Sequence, residues 1–296
     1  MRPAGRKIDT RALGLDLGTD LVRFLTGREN LHFGLWEEGV DVCAGNLLAA
    51  QKAYSARLLS MLPPGKLRIL DIGGGAGETA GELLEMGHHV EIVVPSPVLA
   101  ERCRVNAGSE VKVHVVPFEE FSDNRKFDVC LFSESFQYIG IETALANAAA
   151  RLADDGEILI SDCFRTPAFG EEFSALGMVG GGHALDRFRD VLADMLMEII
   201  HEDDITALVA PSVELEQQFF NMIGRGARRI DSDFRTAYPR LRWLAVKLCR
   251  RMLGERRLAR LERRLFDNSR TAEAFCRFNC YLMLKIRPSR ADAAVG

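Results

Sequence analysis

Residues 68–80 read R-I-L-D-I-G-G-G-A-G-E-T-A. An apolar run passes through Asp71 straight into a glycine cluster, and a helix-forming stretch opens at Glu78. Gly73, Gly75 and Gly77 remove the Cβ atoms that would hold a ligand away from backbone amides, and they accept backbone angles that other residues resist. The spacing excludes one common use of such a turn. A dinucleotide fingerprint requires G-x-G-x-x-G, and counted from Gly73 and Gly75 the third glycine position falls on Glu78. What stands here is D-x-G-x-G-x-G between a strand and a helix, which points to a cofactor loop of another kind.

This motif resembles the first motif of class I S-adenosyl-L-methionine (SAM) methyltransferases. The resemblance implies a Rossmann-like, doubly wound α/β sheet of seven strands, one of them antiparallel, and the chain can be read against it. Strand-like runs fall at 68–72, 89–94, 111–116, 127–132 and 157–162, with helical stretches at 78–86, 98–106 and 141–152 between them. Residues 197–201 and 279–286 read as two further strands, and about 205–275 as a helical insertion. The expected organisation is an N-terminal helical lid (1–55), a SAM-binding core (56–204), a helical substrate cap (205–275), and a last strand with its tail (276–296).

Composition agrees with one catalytic domain carrying a helical elaboration. The chain has 296 residues, of which 47% are hydrophobic, and a net charge of −4. No run approaches the ~18 apolar residues of a membrane span. The start, MRPAGRKIDTR, is basic without an apolar signal region, so a cytoplasmic protein is expected. Seven cysteines without C-x-x-C spacing suggest neither a zinc site nor a disulfide framework, and no metal is expected. The acidic total argues against a nucleic-acid partner but conceals a local excess. Between Arg235 and Arg264 stand eleven Lys or Arg against two Glu, interleaved with Leu, Trp and Met. Such a helix, over 240–264, either lies peripherally on an anionic membrane or packs its apolar stripe on the core as a cap, and the packed cap is favoured.

The resemblance also assigns roles. Asp71 would orient the glycine loop and the amino end of the methionyl group. Family members place an acid at the end of the second strand to accept both ribose hydroxyls, and here the E-I-V-V-P-S-P-V-L reading puts Val94 in that place, with Ser96 left to offer a single hydroxyl. An Asp at 94 is expected to be tolerated at an exposed strand end. V-V-P-F-E-E-F resembles the adenine turn, which nominates Phe118 and Glu119, while Ser133 and Glu134 in F-S-E-S-F-Q-Y-I would face the reaction centre. The H-F-G-L-W segment resembles a lid seen in small-molecule methyltransferases, with Trp36 closing over the cofactor. If the acceptor needs a base, the candidates are His183, Glu134 and His32.

Aromatic and Met-rich residues in the insertion, among them Phe219, Phe220, Met222, Tyr238 and Trp243, suit an apolar acceptor. The implied activity is methyl transfer from SAM to a hydrophobic small molecule such as a lipid, isoprenoid, quinol or polyketide. Two alternatives stand beside it: SAM-dependent cyclisation or decarboxylation on the same fold, and a catalytically silent binding protein. Oligomeric state is not readable from the chain.

Overall fold

In β1 (Arg68–Ile72), Ile69 and Leu70 point to opposite faces of the sheet, and both are fully buried. This two-sided burial is what a parallel strand between helical layers requires. The same alternation recurs in β2 (His89–Val93) and β4 (Phe127–Ser133). Ile69, Ile92, Val129 and Leu131 enter one core, while Leu70, Val93, Cys130 and Phe132 enter the other. The computed structural model describes residues 10–169 and 179–289.

The sheet runs β3-β2-β1-β4-β5-β8-β7, where β3 is Lys112–His114, β5 Leu152–Arg165, β7 Met197–Asp204 and β8 Asn279–Pro288. β8 is antiparallel to both neighbours, and the other pairs along this path are parallel. This is the Rossmann-like sheet with one antiparallel strand that the sequence implies. The structure adds a two-residue strand, β6 (His183–Ala184), beside the end of β5.

After α1 (Thr10–Thr26), α2 (Leu47–Leu59) enters one core through Tyr54 and Leu58, and helices α3 (Glu78–Glu85), α4 (Pro97–Asn106), α5 (Ile141–Ala149) and α6 (Leu185–Asp194) cover the two faces. The insertion folds as α7 (Thr206–Ala237), α8 (Pro239–Leu253), α9 (Glu255–Phe266) and α10 (Ala272–Phe278). It departs from the favoured packed cap. Val209, Ala210 and Val213 at the start of α7 are core residues, but Leu241, Trp243, Leu244 and Leu248 of α8 are 53–62% exposed. Among the described residues, no helix is long and apolar enough to cross a membrane.

Candidate active site

The carboxyl ends of β1, β2 and β4 open onto a cavity of about 790 Å³, within the roughly 300–1,000 Å³ typical of small-molecule sites. Ligands of open α/β sheets bind at this edge. A second concavity of about 820 Å³ begins at Arg68, His89, Lys112 and Phe127, the amino ends of the strands, and is therefore on the wrong side of the sheet for that role. Near that edge, Glu91, His114 and Asp123 converge within 4.8 Å, but Arg125 and Lys112 already engage both carboxylates.

The glycine turn forms one wall. Gly73 and Gly75 have φ of +72° and +54°, the left-handed region that favours glycine. A Cβ on Gly73 would strike Ser135 at 2.4 Å, whereas one on Gly75 would meet nothing within 4 Å, since Gly75 faces the cavity. Gly77 has a different reason. Its Cβ would lie 2.7 Å from the Cys103 backbone, so it permits α3 to approach α4 and does not line the cavity.

Asp71 lies under this turn, fully buried, with neither carboxylate oxygen bonded to a described group. Burial raises its pKa to about 7. A buried, unsatisfied carboxylate beside a cavity is a costly arrangement for an empty fold, and it fits a ligand that brings a donor or a positive charge. The wider lining agrees. Glu29, Glu78, Glu119 and Glu134 also border the space, and no Lys or Arg does among the described residues. Glu29 and Glu78 are neutralised from behind by Arg102 and Arg28. The remaining field favours a cation and disfavours a pyrophosphate.

Glu134 follows β4 with φ of +53°, unusual for a residue with a Cβ and costing on the order of 1 kcal/mol or more. Its N–H donates to Ser161 O at 2.8 Å, and its Oε1 accepts from the Phe33 N–H at 2.8 Å and the Tyr281 hydroxyl at 2.7 Å. Oε2 bonds to no described residue. Burial lifts the carboxyl pKa to about 7 against those two donors. While Glu134 is ionised, the proton order behind it is fixed. Tyr281 spends its proton on Oε1, so Tyr54 donates to Tyr281 at 2.9 Å, and Ser161 must donate to Tyr54 at 2.6 Å. Tyr54, Ser161 and Tyr281 were not among the residues expected at the site. Tyr281 lies 147 positions from Glu134 and reads in sequence only as part of an apolar strand.

The other nominated residues separate into two groups. His32, Ser96, Phe118, Glu119 and Ser133 line the cavity. Ser96 caps α4 by accepting the Leu99 N–H at 3.3 Å, which leaves its hydroxyl proton to offer. Phe118 is a core aromatic set edge-on to Phe132, with one side at the cavity. His32 stacks on Tyr54 at 4.3 Å and binds Phe33 O through Nδ1 at 2.9 Å. Burial depresses its pKa to about 4, so it stays neutral and is a poor base near pH 7.

Trp36 and His183 fall outside the cavity lining. Trp36 is buried and donates Nε1–H to Ser212 Oγ at 2.9 Å, anchoring the lid segment to α7 instead of facing the cofactor space. His183 Nε2 lies 2.9 Å from Ile139 O and 3.2 Å from Phe136 O, and its ring packs edge-on to Phe136, which makes it a brace between β6 and the turn after β4. Val94 also differs from expectation. It is 1% exposed and belongs to the core, with only an edge at the cavity. None of the described aromatics of α7 to α10 lines the cavity.

The fold is shared with known proteins. The structure aligns with the [4+2]-cyclase SpnF at a TM-score of 0.65 and 16% identity, over 93% of this chain and 94% of that one. It aligns with a geranyl diphosphate methyltransferase in complex with GPP and sinefungin at 0.62 and 15%, over 92% and 94%. A geranyl diphosphate C-methyltransferase from Streptomyces coelicolor A3(2), in complex with Mg2+, geranyl-S-thiolodiphosphate and S-adenosyl-L-homocysteine, gives 0.62 and 14%, over 92% of each chain. At such identities the likeness is one of fold. No curated protein sequence matches the chain. Residues 48–209, more than half of the chain, match the family model of a methyltransferase domain, so the chain belongs to that family, whose cofactor is S-adenosyl-L-methionine.

Proposed function

We propose that the chain transfers a methyl group from SAM to a hydrophobic small molecule, with Glu134 as proton acceptor. The observation that carries this reading is the strained, half-buried Glu134 carboxylate at the cavity, held through Oε1 and, among the described residues, open at Oε2. Gly75 leaves room for the methionyl end, Asp71 supplies negative charge beneath it, and Ser96 and Phe118 border the nucleoside end. Bound there, SAM supplies an electrophilic methyl group on a sulfonium. The protein's contribution is alignment and exclusion of water, for which effective molarities reach ~10⁵ M or more in well-oriented systems. A proton leaving the acceptor passes to Glu134 Oε2, and the Tyr281 bond stabilises the carboxylate beforehand.

The acceptor is inferred to be apolar and free of diphosphate. Leu31, Val98, Leu99 and Ile139 line the cavity, and no described cationic side chain is present to take a diphosphate. The chain is thus inferred to differ in acceptor from the geranyl diphosphate enzymes that share its fold. A panel of quinols, polyketides and isoprenoid alcohols, read by S-adenosylhomocysteine release, tests this. Turnover restricted to diphosphate substrates contradicts it.

Two observations favour a second reading. The missing ribose acid at Val94 and the cyclase among the structural neighbours fit a fold that binds SAM without transferring its methyl group. Acceptor conversion with intact SAM, or release of 5′-methylthioadenosine, would select that reading over methyl transfer.

A further inference from the structure

Beyond Gly224 the insertion leaves the protein body. A Cβ on Gly224 would meet Leu265 O at 2.3 Å, so the end of α9 lies directly on α7 there, and Gln217 fixes it by donating to Arg264 O at 3.1 Å. Further out, Arg242 ties α8 to α7 through Asp231 at 2.7 and 3.0 Å. The arm built in this way exposes an apolar row. Ile230 and Phe234 on α7 lead through Tyr238, whose ring lies 5.9 Å from that of Phe234, to Leu241, Leu244 and Leu248, spaced i, i+3, i+7 on α8.

Cations accompany that row. Arg240, Arg250, Arg251, Arg257 and Arg263 make no ion pair with any described residue. Residues 235–264 hold eleven Lys or Arg against two Glu, while the rest of the chain carries thirteen more acids than bases. We propose that this arm docks the protein on anionic lipid bilayers, lying in the plane of the headgroups. Exposed apolar side chains among unpaired arginines are what an interfacial helix presents, and the arm has no span able to cross the membrane. The acidic body would be repelled by the same surface, so the charge asymmetry also orients the molecule with the arm down.

Trp243 provides a direct readout. The chain has two tryptophans, Trp36 buried and Trp243 62% exposed, so a change of emission on binding reports the arm. The full chain should float with phosphatidylcholine vesicles containing phosphatidylglycerol, with a blue shift in emission, and should be released by salt. The variant Arg240→Gln, Arg250→Gln, Arg251→Gln, Arg257→Gln should lose vesicle affinity by at least about a hundredfold. A second variant, Leu244→Glu with Leu248→Glu, should lose the blue shift. Circular dichroism would establish that both are folded. Four results would overturn the proposal: no binding to anionic vesicles at low salt, equal binding to pure phosphatidylcholine, parental affinity in the arginine variant, or a lipid-free dimer that buries Trp243.

Discussion

Two kinds of strand end meet at the cavity, and they contrast in polarity. Asp71 near the end of β1 and Glu134 just after β4 carry carboxyls whose pKa values burial raises to about 7. β2 is followed by Val94, an apolar side chain 1% exposed where the family places an acid. Charge is therefore concentrated where a sulfonium and an acceptor would meet, and withheld from the place where a ribose would lie. The two acids also differ from each other. Glu134 is held by three hydrogen bonds in a backbone conformation it would not choose, while the Asp71 carboxylate has no hydrogen-bond partner among the described residues. The first is built like a positioned reagent and the second like a charge that waits for its ligand.

The largest effect is expected at Glu134. Glu134→Gln keeps the shape and can still accept from Phe33 N–H and Tyr281, but removes the proton acceptor. Activity should fall by about 10²–10⁴-fold with SAM affinity nearly unchanged. In the parent, kcat should rise through pH about 7 as the carboxyl ionises, and the variant's profile should be flat. A Glu134→Gln enzyme with parental kcat and the same pH profile would remove Glu134 from the chemistry.

Val94→Asp tests the apolar end. A carboxylate placed in this core cannot reach water without opening it, so the variant should lose about 3 kcal/mol or more of stability, measured by urea unfolding. A variant that is as stable as the parent and binds SAM more tightly would show that the ribose does reach residue 94.

A smaller, pH-dependent effect is expected from Asp71→Asn. Because the folded pKa is raised, the native state binds a proton that the unfolded chain has released between pH ~4 and ~7, and stability falls as pH rises through that window. Replacing the carboxylate should stabilise the ligand-free protein by about 1–2 kcal/mol at pH 8, by less at pH 5, and not at all below pH ~4, while weakening SAM binding. Thermal denaturation at these pH values reads this directly. Destabilisation at pH 8 would mean that the charge already has a partner.

The parts of the molecule that the sequence reveals are those governed by local pattern. The strand at 68–72 is read to the residue because both its flanks are punctuated, and Glu134 is found because it follows a strand whose apolar run is unbroken. β6 escapes, since two residues have no period. The Ser161–Tyr54–Tyr281 chain escapes because its contacts join distant segments, and nothing in Y-L-M-L distinguishes a core tyrosine from one aimed at a carboxylate. His183 misleads for the opposite reason. A titratable side chain after a glycine run reads as a candidate base, but Gly182 sits where a Cβ would strike Cys163 O at 1.8 Å, a close-packed crossing. In the basic helices the amphipathic spacing is plain, yet the same spacing serves burial or an interface, and only the fold shows which faces are left open.

If SAM occupies the space between Asp71 and Glu134 through the glycine turn, calorimetric titration should saturate at one SAM per chain. In Gly75→Val, where a side chain would enter the cavity, affinity should fall at least tenfold, about 1.4 kcal/mol, in protein shown by circular dichroism to be folded despite the left-handed backbone there. No binding by the parent, or equal affinity in a folded Gly75→Val, would contradict that placement.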